Sequence, residues 1–462
     1  VRGVSVRLWT SDEIAAATGG VASKAFEVSG VAFDSREVGQ GDLFLALKGE
    51  TTDGHKFLDQ TFAQGAAGAV VSQPTDYPHV SVADTVPALD ALGVAARGRM
   101  QGKVIGVTGS VGKTGTKEAL FAALDRNAPG EAHRSVKSYN NHTGVPLSLA
   151  RMPRNTRYGV FEMGMNHSGE LAALTRLVRP HVAIVTTIAP AHMGFFANEE
   201  AIADAKGEIF QGLEPGGVAI VPHDNRHRDR LIEAAKPYAA KIVTFGLGEG
   251  ADYRAVETMR TRTGGTFVTA RFGQRELSFT LSQPGTHWVS NAMAILAAVD
   301  AVGGDLELAG LALAELGGIA GRGARLSVPV RGGEALVIDE SYNANPASMR
   351  ATLEVLAQEK GRKLAVLGEM RELGAHSAAF HAELSGPIEA AGVDYAILVG
   401  EAMQPLAEAL EGAVDFVHVP DAATALGRLD DMLQAGDAVL IKGSNGVRLG
   451  TVVAALAERA PA

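Results

Sequence analysis

Cysteine is absent from the 462 residues, which excludes disulfides, thiolate metal sites and cysteine nucleophiles. Long apolar runs are missing too. No uninterrupted stretch is long enough to span a bilayer, and the opening VRGVSVRLWT has no apolar core of signal-peptide type, so a cytoplasmic location is expected. Positive charge is not in excess. The formal net charge of −10 argues against a general nucleic-acid or anionic-membrane surface, while leaving room for a local basic pocket. Aromatic residues make up only 5% of the chain against 55 glycines. Those glycines fall between periodic elements, which fits tight α/β turns rather than disorder. There is no internal repeat and no low-complexity tract.

Hydrophobic residues make up 46% of the chain, enough for sizeable cores, and the length suggests about three domains. The pattern reads as α/β throughout. Residues 1–100 form a small α/β unit. In it SDEIAAATGG is an N-capped helix, VAFDSR (31–36) and GDLFLAL (41–47) are short strands, and a helix carries Leu58, Phe62 and Ala66 on one face. A strand at 69–71 and a helix from Thr85 to Met100 lead to a boundary at Gln101-Gly102. Residues 101–321 repeat strand and helix, with strands at 158–163, 182–188, 218–221 and 242–245, a hairpin at 266–281 and a helix from Trp288. This rhythm predicts a mostly parallel sheet covered on both faces. Residues 322–462 resemble an open dinucleotide-type sheet without a GxGxxG, with strands at 335–338, 364–367, 396–399, 414–419 and 438–441. Helices are expected at Pro346–Gln358 and His381–Ala391.

The most informative stretch is KVIGVTGSVGKTGTKEAL. An apolar strand runs into Gly109-Ser110-Val111-Gly112-Lys113-Thr114 and then into a helix. Backbone N–H groups near Gly112, the helix dipole and the Lys113 charge favour a phosphate, and the Thr114 hydroxyl can reach magnesium. The full eight-residue pattern wants glycine where Val107 stands, so the signature is the shorter GxxGKT. Gly-rich strand-to-helix turns also occur in α/β proteins that bind no nucleotide.

Ligands of parallel sheets bind beyond the carboxyl ends of the strands. Glu162 sits at one such end, and the segment Thr187 to His192 lies beyond another. Lys206 lies on a helix predicted from about Asn198 to Gln211; an ordinary lysine does not ligate magnesium, and by itself it reads as a solvated helix residue. Lys137 to Gly144, including Asn140, Asn141, His142 and Thr143, is a polar run ahead of an amphipathic helix. Asp339 to Pro346, with Asn343 and Asn345, and Lys442-Gly443-Ser444 each follow strands of the third unit. A cleft closing between domains accounts for these sites more economically than three unrelated ones. Asp34-Ser35-Arg36 beside Asp53-Gly54-His55 is either a ligand contact or a surface turn.

From VAFDSREVGQGDLFLALKGETTDGHKF through TGSVGKTGTKE, KSYNNHTGVPLSL, FEMGMNHSGE, AHMGFF, AKGEI and DESYNANPASM to LGEMRELG and LIKGSNG, nearly the whole chain resembles the Mur ligase family. DSR…GDLFLAL…DGH and DESYNANPASM match the branch that adds a D-alanyl dipeptide. The resemblance implies three domains: 1–100 binding the UDP portion of the substrate, 101–321 binding ATP, and 322–462 binding the amino substrate and closing on ATP. It implies an ATP-dependent acid–D-amino-acid ligase of peptidoglycan precursor synthesis. The substrates would be UDP-N-acetylmuramoyl-tripeptide and D-alanyl-D-alanine, with Mg2+, no nucleic acid and a monomeric state. It implies that Gly109, Ser110, Val111, Gly112, Lys113 and Thr114 hold the phosphates, and that Thr114 and Glu162 bind one magnesium ion. His192 would stand near a second ion and Lys206 would be carbamylated, which makes it an anion and reverses the solvated reading. Asn291, Arg322 and Asp339 would lie on the nucleotide side, Ser35 and Arg36 on the UDP side, and Asn140 to Thr143 with Asn343, Asn345 and Lys442 near the substrates.

Three positions depart from the family pattern. Gly115 stands where threonine is common, Trp288 follows His287 where asparagine is common, and Asn445 replaces a frequent arginine. Three alternatives stay open. One is the sister ligase that adds diaminopimelate or lysine, against which DESYNANPASM and the lack of a DNPR-like loop both count. Another is a folate polyglutamate ligase, which lacks the first domain. The third is a non-catalytic nucleotide-binding module.

Overall fold

The computed structural model describes residues 7–49, 52–262 and 264–459. The opening VRGVSV stretch and two positions of the GETTDGH loop lie outside the described residues. In the first unit the Ser11–Thr18 helix starts where expected, because Thr10 and Glu13 cap each other reciprocally. The Thr10 hydroxyl accepts from Glu13 N at 3.2 Å and the Glu13 carboxylate accepts from Thr10 N at 3.0 Å. A five-stranded sheet follows, ordered Val21–Ala22, His79–Ser81, Gly68–Val71, Asp42–Leu45, Gly30–Ala32, with only the first pair antiparallel. The Leu58–Ala63 helix is preceded by a 3-10 turn, Gly54–Phe57, and ends before Ala66.

The central unit is a nine-stranded sheet. Its parallel part places Lys103–Thr108 between Tyr158–Glu162 and Val182–Val185, with Glu162 opposite Val107 and Val185 opposite Thr108. That order fixes the site. The phosphate loop, Glu162 and the segment after Val185 all lie at the carboxyl ends of adjacent parallel strands. These strands are buried on both faces, as a parallel sheet under two helical layers requires. The Lys113–Asn127 and Thr286–Ala301 helices cover one face with Ile105, Leu120, Ile184 and Ile295. Val104, Phe161, Val185 and Ile209 fill the other. Each such fully buried side chain contributes about 1.5–3 kcal/mol.

The third unit has a six-stranded sheet in which Gly333–Glu340 runs parallel to Ala438–Lys442, with Glu340 opposite Lys442. A hairpin partner, Ala324–Val330, adds an antiparallel edge.

Several elements differ from the sequence reading. The expected helix at His381–Ala391 is two pieces, Ser377–Ala382 and Ser385–Ala390. Gly144–Ala150 is buried along its whole length rather than amphipathic. It lies against the Thr85–Arg99 helix, where Gly93 admits Pro146: a Cβ on Gly93 would stand 3.3 Å from Pro146 Cα. Ala132–Arg134, Tyr253–Arg260 and Ala324–Val330 are strands without an expectation. Among the described residues, no helix is long and apolar enough to cross a membrane.

Candidate functional site

The phosphate loop is held open by backbone geometry that side chains would spoil. Gly112 has φ +86° and starts the Lys113–Asn127 helix. Gly109 has φ +148°, and a Cβ there would lie 1.9 Å from Thr186 Oγ1. Val107, which occupies the place of the usual first glycine, is inside the strand. The loop therefore begins at Gly109 and the shorter signature suffices. Thr186 Oγ1 donates to Val111 O at 2.5 Å, Ser110 N donates to Thr187 O at 2.8 Å, and Ser110 Oγ donates to Ala189 O at 2.9 Å. The segment from Thr186 to Ala189 thus pins the loop from the neighbouring strand end.

Lys113 Nζ donates to Gly109 O at 2.7 Å. Burial pushes its pKa below the usual lysine range; Glu162 opposes that shift and Arg322 adds to it. Glu162 is buried and its oxygens are shared. Oε2 accepts from Thr114 Oγ1 and Oε1 accepts from Asn140 Nδ2, both at 2.7 Å. Lys206 is 1% exposed, so it is not a solvated helix residue. Burial, with the neighbouring Lys113 charge adding to it, drives its pKa well below the ordinary value and so favours a neutral amine. Its helix, Glu199–Gly207, is followed by a 3-10 turn, Glu208–Gly212.

A cavity of about 340 Å³ joins the central and third units. Lys113, Thr114, Glu162, Asn140, His192 and Asn291 face it from one side. Arg322, Glu340, Tyr342, Asn343, Asn345 and Lys442 face it from the other. Arg322 stacks over Tyr342 at 4.1 Å and donates to Ser138 Oγ at 3.1 Å, so the junction of the two units is itself polar. Lys442 Nζ donates to Asn343 O at 2.9 Å and lies 3.5 Å from Glu340. Burial raises the Glu340 pKa and lowers that of Lys442, each partly offset by the other. Asn345 Oδ1 caps the Pro346–Ala357 helix by accepting from Ser348 N at 2.9 Å, which leaves its amide N–H groups for a ligand.

Other sequence candidates lie elsewhere. Asp339 is not among the residues lining the cavity; its oxygens accept from Gly321 N at 2.6 Å and from Ser341 N and Oγ at 3.1 and 2.6 Å. It shapes the turn that presents Arg322. Asn141 Oδ1 accepts from Thr143 N and Gly144 N at 3.3 and 2.9 Å and so caps the next helix, while His142 is exposed. Arg36 is open to solvent and chelates Asp34, holding that carboxyl down to about 2. Its neighbour Glu37 accepts from Tyr139 Oη at 2.8 Å and from Lys137, tying the first unit to the polar run that carries Asn140.

Lys117, one helical turn after Lys113, had no sequence signal because lysine on a helix reads as solvated. It is fully buried and donates to Ser135 O at 2.9 Å and Lys137 O at 2.6 Å. The phosphate-loop helix therefore anchors the backbone of that polar run.

Two departures from the family pattern explain each other. A Cβ on Gly115 would stand 3.1 Å from Trp288 Cη2, so the large indole occupies the room a threonine at 115 would need. Glycine inside a helix costs about 0.5–1 kcal/mol relative to alanine, and a side chain at 115 would press on the indole. Gly115→Thr is expected to destabilise the protein by about 1–3 kcal/mol through overpacking. Adding Trp288→Asn should make the double variant less destabilised than the sum of the two single changes. Urea unfolding of all four proteins measures that coupling. At the third departure, the Arg371 guanidinium lies beside the Asn445–Val447 turn, where a Cβ on Gly446 would come within 1.9 Å of it. A positive charge is thus present there without an arginine at 445.

Strand order and cavity together define an α/β protein with a phosphate-loop motif that faces residues of the third unit across one cavity. Three family models cover these units. Residues 27–99 match "Mur ligase family, catalytic domain", 107–299 match "Mur ligase middle domain", and 324–445 match "Mur ligase, glutamate ligase domain". The UDP-N-acetylmuramoyl-tripeptide–D-alanyl-D-alanine ligase of Escherichia coli K12 is 35% identical over 93% of this chain and 93% of its own. A crystal structure of MurF from Acinetobacter baumannii, 36% identical, superposes with TM-score 0.84 over 97% of this chain and 99% of that one. The Thermotoga maritima MurF ligase in complex with ADP, 27% identical, has TM-score 0.77 and covers 93% and 97%. The chain belongs to the Mur ligase family.

Proposed function

We propose that this protein is the ATP-dependent ligase that joins D-alanyl-D-alanine to UDP-N-acetylmuramoyl-tripeptide in peptidoglycan precursor synthesis. The observation that supports it most is one cavity uniting the phosphate loop and Glu162 with the third domain's Arg322, Asn343, Asn345 and Lys442. The full-length likeness to ligases of that activity supplies the substrates.

A carboxylate does not react with an amine until one of its oxygens can leave, so it must first be activated. The tripeptide's terminal carboxylate attacks the γ-phosphorus of ATP, the bond to the β-γ bridging oxygen breaks, and ADP departs from an acyl phosphate. The neutral amine of D-alanyl-D-alanine then adds to the acyl carbon. The tetrahedral adduct expels inorganic phosphate and loses a proton, leaving the amide. Gly109 to Thr114 cradle the phosphates, and Lys113 offsets charge on the transferred group. Asn291 lies on the nucleotide side, where a Cβ on Gly112 would touch its amide, with Arg322 and the Asp339 turn toward the ribose. Lys442, Asn343 and Asn345 orient the acyl phosphate and amine, Asn140 to Thr143 border the tripeptide, and Ser35 and Arg36 take the UDP end.

The donor set fits magnesium. Thr114 and Glu162 offer a hydroxyl and a carboxylate side by side, and among the described residues no cluster of three or more histidine or acidic side chains competes as a self-sufficient cage. Magnesium typically takes one or two protein ligands plus phosphate oxygens and water. Thr114 and Glu162 would hold one ion, His192 and carbamylated Lys206 would serve a second, and such ions neutralise charge on the phosphoryl oxygens when bound. Buried and biased toward its neutral form, the Lys206 amine is suited to add to CO2.

The route makes an isotopic prediction. With heavy oxygen in the tripeptide carboxylate, one labelled atom should appear in the released phosphate for each amide formed, read by mass spectrometry. Unlabelled phosphate would exclude the acyl-phosphate route.

A further inference from the structure

His192 and Glu372 are two of the few described non-glycine residues with left-handed backbone, at φ +58° and +63°. Such conformations are unfavourable for residues that carry a side chain and persist only where surrounding structure holds them. These two residues hold each other across the domain junction. His192 Nδ1 lies 2.6 Å from Glu372 Oε2, and Gly194 N donates to Glu372 O at 2.9 Å. The backbones are so close that a Cβ on Gly374 would meet Gly194 Cα at 2.9 Å. His192 lines the reaction cavity and Glu372 does not.

An ionised carboxylate can only accept. The His192 proton must therefore sit on Nδ1, which leaves Nε2 with its lone pair in the neutral ring as the nitrogen available to the cavity. A carboxylate behind an imidazole fixes its tautomer and ring orientation. Here that carboxylate comes from a different domain.

We infer that Glu372 is a positioning residue for this reaction: docked from the third domain, it sets the tautomer and orientation of His192, so the histidine is arranged for chemistry only when the domains are closed. The inference rests on the ligase reading above. It makes domain closure and site assembly one event and gives the EMRELG segment a task.

Two substitutions separate positioning from a turn-forming role. Glycine suits the left-handed turn better than glutamate does, yet removes the carboxylate. Glutamine strains the turn as glutamate does, yet keeps an oxygen that can accept from Nδ1–H. Glu372→Gly is expected to lower kcat by about 10–100-fold, with the KM for ATP little changed, and Glu372→Gln should recover most of that loss. Because the chain has no cysteine, Lys236→Cys and Glu408→Cys, both exposed, can carry a donor–acceptor dye pair on the full-length protein. Adding ATP and UDP-tripeptide should change energy transfer in the labelled parent and leave the labelled Glu372→Gly protein close to its unliganded value.

Glu372→Gly turning over like the parent, equal loss in both variants, a change confined to KM, or an unaltered energy-transfer response would each overturn the inference. If the parent makes no amide, the ligase reading fails. The energy-transfer comparison with ATP alone then still decides whether Glu372 docks the domains.

Discussion

Lys113→Met is expected to lower kcat about 10³-fold, within the range seen when a preorganised positive group facing a transferring phosphoryl is removed. Three observations set that size. Lys113 opens the helix at the phosphate loop, its Nζ is fixed by Gly109 O at 2.7 Å, and it stands near Glu162 and Arg322 in a shared cavity. The charge is disfavoured by burial, so it is retained for its effect on the ligand rather than on the fold. Methionine fills similar volume without the charge. Thermal unfolding of Lys113→Met should therefore stay close to the parent while turnover collapses, and product formation at saturating substrates checks both halves. Activity within tenfold of the parent would show that Lys113 does not carry the transferred charge.

Lys206→Ala is expected to lose at least about 10² in kcat, and added bicarbonate should not restore it. The reasoning starts from burial. A lysine 1% exposed, beside the charge of Lys113, is costly as an ammonium. As a neutral amine it can form an N–C bond to CO2, release a proton and become an anion. An anion there offsets the Lys113 charge and offers oxygen ligands to a cation. In the parent, isotopically labelled bicarbonate should give a protein-bound carbamate signal, absent from Lys206→Ala. Near-normal activity of the variant, or no carbamate in the parent, would contradict this role.

The strand-turn-helix at Lys103 to Leu120 was legible because strand, loop and helix each carry a local signal: an apolar run, closely spaced glycines and a helical pattern. Strand ends were legible as well, so Glu162, His192 and Lys442 could be picked out as polar residues following apolar strands. Several short strands had no local signal, and for three of the longer or sheet-extending ones the reason is physical. Ala132–Arg134 is a short edge strand. Tyr253–Arg260 alternates only over its first half before both faces become exposed, and Ala324–Val330 alternates around a polar, half-exposed face. The buried Gly144–Ala150 helix was misread because burial on every side depends on the Thr85–Arg99 helix, which is distant in sequence. Contacts between distant residues were not legible in any local pattern. Lys117 reads as a surface lysine until the carbonyls of Ser135 and Lys137 are placed around it. Gly115 and Trp288 read as two unrelated departures until one is seen to make room for the other. Glu372 has no signal in its own segment, since its partner lies 180 residues away.

The most direct test of the ligase reading is a substrate-omission assay with purified protein, ATP and magnesium, measuring phosphate release and the mass of the product. Phosphate should appear only when UDP-N-acetylmuramoyl-tripeptide and D-alanyl-D-alanine are both present, with one amide formed per phosphate. Equal turnover with UDP-dipeptide and diaminopimelate, or phosphate release that ignores the amino substrate, would contradict it.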